Sequence, residues 1–470
     1  MAVLVAIELV LAGIAFLAAR RDWRRAALFL LVVTAPLEVY RSDLGPFNVS
    51  LFRLSLIPAL AAAASIAYSS WQGSPEERQS VRRRVRAGAP IPLAYTLFAA
   101  VVGLSMLVNL PTSPLGPREL ATSVVAVVAI VCVAVLANHA GLRTIAGYMV
   151  AASVLPILAS TWQAVAPRID ADPQLPLLSR LTVARGLDIN REAPVRLDSY
   201  TARTKGTFGD PNHYATFLLV VIACGIVLTL LARRERNGRW TATFALCSAA
   251  ALFSLISSYS RSAWLGFVVA AIAFVALGVR TRQLGKMPDR RRLAIGGVVL
   301  LLIAAPAIPN VVKRLEPNTN VNKGSNTVHL DTANAALDAF GSNPVLGVGP
   351  GWLGPRVDPP EDPRTSVAHC TYLTVASEEG VLGLLSLLLA AGLTLAAFFR
   401  GTRDPDRERA LLAIAFGAAY LGFVVANITY DMWFDDVHWI SIGVATALAS
   451  AAAPALSLRR LRVRARPAAV

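Results

Sequence analysis

In Arg203-Thr204-Lys205-Gly206-Thr207-Phe208-Gly209-Asp210-Pro211-Asn212, two cations precede a glycine-bearing turn that runs into an apolar stretch. Asp210 suits an N-cap and Pro211 a first helical residue, so a helix begins here with its free backbone N–H groups pointing out of its end. Cations beside such an end suit phosphate oxygens. They suit plain interfacial hydration as well, the side chains snorkelling to water. A second polar knot, Ser257-Ser258-Tyr259-Ser260-Arg261-Ser262-Ala263-Trp264-Leu265-Gly266, joins two apolar runs with almost no loop. An arginine at full membrane depth costs about 2.5–3.5 kcal/mol or more, so Arg261 calls for an anion, whether a ligand or a protein carboxylate. Ser260 reads as the cap of the helix that follows. The third stretch is His369-Cys370-Thr371-Tyr372-Leu373, with Glu378-Glu379-Gly380 at the expected start of a further helix. Imidazole titrates near neutral pH and can take a proton from a hydroxyl, although a lone interfacial His also serves as an ordinary hydrogen-bonding residue.

The elements that position these knots must be membrane helices. Of 470 residues, 55% are hydrophobic and 16% charged, against about 25% charged in soluble domains. Such a chain lacks the polar residues to cover two or three soluble domains. A bilayer-spanning helix needs about 20 apolar residues. Thirteen apolar runs approach that length, near 2–19, 26–40, 51–68, 93–109, 119–137, 144–165, 212–232, 241–258, 262–279, 294–309, 380–399, 410–428 and 439–457. The first has basic residues after it rather than before it, the reverse of a secretory signal, and reads as a retained helix. Cys132, Cys224, Cys247 and Cys370 are too few for a disulfide scaffold and read as small core residues.

Charge sets the orientation. The connectors 20–25, 69–92, 138–143, 233–240, 280–293, 400–409 and the tail after Leu458 hold 29 of the 45 Lys and Arg but only 8 of the 29 Asp and Glu, leaving +21 there and −5 elsewhere. They alternate with acid-leaning connectors, so the positive-inside bias puts them in the cytoplasm, with the N-terminus outside, the C-terminus inside and all three knots on the outer face. Runs such as Arg82-Arg83-Arg84 and Arg290-Arg291-Arg292 are then topology signals and anionic-lipid contacts, and no nucleic-acid partner is expected. Two outward connectors are long, 166–208 and 310–371, the second with a short helix expected at Val328 to Phe340. Gly349-Pro350-Gly351-Trp352-Leu353-Gly354 matches a dinucleotide-loop pattern but lacks a preceding strand. Asp431, Asp435, Asp436 and His438 read as a solvated acidic turn in an aromatic belt rather than a metal site.

Four blocks, Gly206 to Asn212, Ser260 to Gly266, Asn343-Pro344-Val345-Leu346-Gly347-Val348-Gly349-Pro350, and His369 to Gly380, resemble in order the signatures of the O-antigen ligase and O-antigen polymerase superfamily. The resemblance covers roughly 200–385. It implies an all-α, polytopic GT-C-type glycosyltransferase of about 12–13 transmembrane helices with two long extracytoplasmic loops, in the bacterial cytoplasmic (inner) membrane. The apolar runs and connectors divide the chain into membrane regions 1–165, 212–309 and 380–470, the last with a basic tail, separated by loops 166–211 and 310–379. The donor would be a glycan on a polyprenyl (undecaprenyl) diphosphate and the acceptor a hydroxyl of a glycan or glycolipid. Membrane lipids are the other partners, and neither cofactor nor metal is implied. The family's two arginines align with Arg203 and Arg261 and its histidine with His369, giving the expected catalytic set. Lys205, Asn212, Tyr259 and Glu378 are the expected substrate-binding residues. The family often has Asn after that histidine, where this chain has Cys370, and Glu379 has no assigned role. A transporter or flippase of lipid-linked glycans is the alternative, and it predicts charges near mid-membrane along a path.

Overall fold

The computed structural model describes residues 22–37, 41–44, 47–110, 115–166, 195–196, 202–283, 320–351, 368–432 and 435–451, with positions 13 and 16 alone before them. It is an all-α polytopic bundle with two short antiparallel ribbons. Helix α1 (Trp23–Thr34) is followed by ribbon β1 (Arg41–Leu44) and β2 (Phe47–Ser50), then α2 (Leu51–Gln72), α3 (Pro75–Gly88), α4 (Pro90–Val108), α5 (Gly116–Ala140), α6 (Leu142–Ala152) and α7 (Val154–Val165). The second ribbon, β3 (Val195–Arg196) and β4 (Ala202–Arg203), precedes α8 (Pro211–Arg234), α9 (Gly238–Ser257) and α10 (Arg261–Arg280). The last four are α11 (Asn320–Ser342), α12 (Thr371–Gly401), α13 (Arg407–Ala426) and α14 (Asp436–Ala451).

Among the described residues nine helical stretches are long and apolar enough to cross a membrane, α6 and α7 together making one of them. Eleven of the thirteen expected spans fall on helices, α1 and α14 being the short ones. The spans at 2–19 and 294–309 and the tail after Leu458 lie outside the described residues, positions 13 and 16 excepted. Helices α8 and α13 are enclosed by others, with 83% and 78% of their apolar windows buried, whereas α9 and α10 bury only 22% and 28%. The side chains that α9 and α10 leave open include Leu246, Leu265, Val268 and Ile272. Such a surface suits lipid and not water.

Two expected helices are broken. The run 144–165 divides at Ser153, because Pro156 has no N–H to give to the preceding turn and its ring crowds the carbonyl there. Helix α12 begins at Thr371, nine residues before its expected start, and breaks at Gly380, where φ is 69° and ψ −167°. Glu378 and Glu379 therefore lie inside a helix, just ahead of a break that only glycine takes without strain. The connector 69–92 contains the polar helix α3, opened by a capping box between Ser74 and Glu77. The short helix expected at Val328 to Phe340 extends to the whole of α11.

The basic connectors share one end of the bundle. His139 lies 3.7 Å from Asp22, Arg143 reaches Glu235 at 2.5 Å and Glu408 at 3.4 Å, and Arg407 donates to the Gln283 carbonyl at 2.5 Å. The starts of α8, α10 and α12 gather at the opposite end. There α10 crosses α13 closely, since a Cβ on Gly266 would stand 2.5 Å from the Gly422 carbonyl. Small residues at the crossing let the two backbones meet, and Arg261 is fixed one helical turn above it.

Candidate active site

Asp210 caps α8 through the Asn212 N–H at 2.6 Å, and Pro211 occupies the first turn. Ser260 caps α10 through the Ala263 N–H. The two caps are joined: the Ser260 hydroxyl donates to Asn212 Oδ1 at 2.6 Å, and Arg203 donates from Nη2 to the same oxygen at 3.2 Å and from Nε to the Ser258 carbonyl at 3.2 Å. Thr204 continues the seam, its N–H on the Ser257 carbonyl and its hydroxyl 3.1 Å from that of Ser257. Arg203 therefore stands between two helix N-termini. Burial pulls its guanidinium below the ordinary value, Asp210 and Tyr430 oppose the shift, and the like charge of Arg261 adds to it. Arginine keeps its proton regardless. Two fixed cations in one another's field, beside two helix starts, favour an incoming anion.

Lys205 and Gly206 close the turn below, both N–H groups donating to Gln163 Oε1 at 2.9 and 3.0 Å, and Lys205 is 3% exposed. Tyr259 is buried at φ 50°, its ring edge-on to Trp264 at 6.3 Å. It packs the turn that turns α9 into α10.

His369 precedes the N-cap Cys370 at φ 47°. Its ring is stacked on His329 of α11, with centroids 4.3 Å apart and planes at 30°, and meets Tyr430 at 5.6 Å and 39°. Tyr430 also takes the ring of His213 edge-on at 6.0 Å, and its phenol lies in the field of Asp210 and Arg203. Burial first, and Asp210 next, hold that phenol protonated well above its ordinary value. Tyr430 thus connects the arginine seam to the histidine. A clamp fixes it: Thr371 donates its N–H to the Asn427 carbonyl at 3.0 Å, and its hydroxyl lies 2.5 Å from Asn427 Oδ1 and 2.9 Å from Asp431 Oδ1. Burial pushes the Cys370 thiol up, which keeps it a thiol rather than a thiolate. Flanking rings help to orient this imidazole.

The block 343–350 is a brace for the broken helix. Val381 donates to the Pro344 carbonyl at 2.8 Å, Val348 to Ser377 at 2.9 Å and Gly349 to Glu378 at 3.0 Å, so the loop takes up the carbonyls and N–H groups freed at Gly380. The Glu378 carboxylate accepts the Gly351 N–H at 2.8 Å. Gly347 has φ 69°, and a Cβ there would stand 2.3 Å from the Glu378 backbone. Gly347→Ala is expected to destabilise the fold by roughly 3 kcal/mol, read as a lower unfolding midpoint in detergent.

The acidic turn is not solvated, contrary to the expectation. Asp435, Asp436 and His438 are buried, His438 lying 3.6 Å from Asp435 and stacked on Phe423 at 3.4 Å. The turn is packed against α13 through Phe423 and against α8 through Thr216, which lies 3.4 Å from His438 Nε2. Glu379 faces inward as well, within the field of Glu378, Glu119 and Asp431.

Residues 246–388 match the family model described as O-Antigen ligase. The matched stretch, under a third of the chain, is similar to O-antigen ligases. The match supports the resemblance to the ligase and polymerase superfamily and includes three of its four blocks. The fourth, Gly206 to Asn212, lies outside the match but is bonded to Ser260 within it. The chain is a multi-pass membrane protein, and its similarity to the O-antigen ligase and polymerase superfamily lies in this stretch. No curated protein matches it. Tyr430, His329 and His213 were missed from the sequence. Only Tyr430 carried a signal, an aromatic beside the acidic turn.

Proposed function

We propose that this protein is an inverting glycosyltransferase that moves a glycan from a polyprenyl diphosphate to an acceptor hydroxyl on the extracytoplasmic side of the bacterial inner membrane. One arrangement supports the reading: Arg203 and Arg261 lie in one another's field, and the imidazole of His369 is a single ring, Tyr430, away from the Asp210–Asn212 cap that Arg203 shares. The arginines hold the diphosphate, with Lys205 adding charge at the same turn. As the anomeric C–O bond breaks, negative charge grows on phosphate, and fixed guanidinium groups stabilise that growth more than the ground state. His369 takes the acceptor's proton as its oxygen attacks the opposite face of the sugar. The arginines supply the charge a divalent ion would otherwise bring, so EDTA is expected to leave turnover unchanged.

Incubating the purified chain with a polyprenyl-diphosphate glycan and an acceptor tests the reading. Longer or transferred glycan with freed polyprenyl diphosphate is the expected result. Donor that crosses a bilayer with its glycosidic bond intact would establish a flippase instead. Tyr430→Phe removes the hydroxyl from the field of Asp210, and transfer is expected to fall in the same assay while the ring contact with His369 remains.

A further inference from the structure

His329 takes no part in the transfer step described for His369, although its ring lies closer to His369 than Tyr430 does. It arrives on α11, held against the start of α12 by Ala336, Ala339, Val348, Ala368 and Leu373. Both imidazoles are half-buried. Two rings stacked at 4.3 Å in a partly dry site resist carrying two positive charges, and groups coupled this closely titrate as a pair. Among the described residues, Tyr430 from the α13–α14 connector, edged by His213 of α8, meets the pair and Cys370 lies beside His369, both protonated at neutral pH. The field of Asp431 reaches Cys370. Its carboxylate favours a first proton on the pair, and the first proton opposes a second.

We propose that His329 and His369 form an imidazole pair that holds at most one proton in the working enzyme. His329 is then a positioning residue: it keeps the His369 ring flat and sets the pH at which that ring is free to act. The inference deepens the reading of His369 as base and rests on it. In the transfer step the acceptor's O–H bond breaks, its oxygen bonds to the anomeric carbon, the bond to diphosphate breaks, and the proton passes to a neutral His369 ring nitrogen. The imidazolium so formed lies against a neutral ring, and loses its proton to water before the next turnover.

The test is an NMR titration of ¹³C-histidine in the full chain in nanodiscs. With five histidines, the His369 signal is assigned by its absence in His369→Gln. In the unmodified chain it should titrate in two steps or with an acid-displaced midpoint. His329→Phe, which keeps a stacked ring without charge, should give a single step about one pH unit higher. His329→Lys, a fixed cation at the same place, should move the midpoint lower, and the acid limb of transfer should follow in each case. His329→Gln, a small neutral replacement, should move it in the same direction as Phe and serves wherever a larger side chain fails to fold. Midpoints unchanged in all folded variants would overturn the pair and leave His329 as packing alone. A shifted midpoint with full transfer activity in His369→Ala would keep the pair and remove the base, so the two failures are distinct.

Discussion

Arg261→Ala is expected to reduce glycan transfer at least about 10²–10³-fold, the loss seen when one fixed donor to a developing oxyanion is removed. The variant should still fold. The start of α10 is capped by Ser260, not by Arg261, and the helix is held by its Gly266 contact with Gly422. What the substitution removes is the cation that shares a field with Arg203 at the seam of two helix N-termini. Charge appears on the departing diphosphate as the sugar leaves, so the penalty should fall on turnover more than on donor binding. Arg261→Lys should recover only part of the rate, because a point ammonium cannot fork two phosphate oxygens as guanidinium does. Transfer rates in nanodiscs beside an unfolding midpoint check both variants, and unchanged turnover in the folded alanine variant would remove Arg261 from the diphosphate.

That prediction was open to sequence reading because its determinants are local. Asp210 and Ser260 declare helix starts through chemistry spanning three residues, and the alternation of arginine-rich connectors assigns those starts to one end of the bundle. The structure adds the joint between them: Asn212 Oδ1 receiving both Ser260 and Arg203 is a contact across 48 and 9 residues. No periodicity encodes it. The partners of His369 are harder still. His329 stands on a polar helix within a long connector and Tyr430 in a turn after α13, and only the packing of α11 on α12 and the Thr371–Asn427 clamp bring the three rings together. The break at Gly380 was hidden by the apolar run that follows it. Its cause is visible only once the 343–351 loop is seen to take over the hydrogen bonds that the helix gives up. The turn at 435–438 misled for the opposite reason, since charge and tryptophan suggest an interface whenever the covering helix cannot be seen.

His369→Ala separates the chemistry from the binding. Its loss should lower turnover about 10²–10⁴-fold, the usual contribution of a positioned general base, while the donor still binds, because the arginine seam is built from Arg203, Asn212, Ser260 and Arg261 and needs nothing from the imidazole. The α12 start should survive too, since the Thr371 clamp lies on the other side of Cys370. Truncation leaves a ring-sized gap against His329 and Tyr430. Added imidazole should therefore restore part of the rate, with a pH dependence of a particular sign: rescue grows as pH rises and the free imidazole loses its proton, and is lost in acid, where the cation can accept none. A fully active alanine variant would mean that a different group takes the acceptor's proton. Donor binding lost together with turnover would mean that His369 holds the site together rather than serving the reaction.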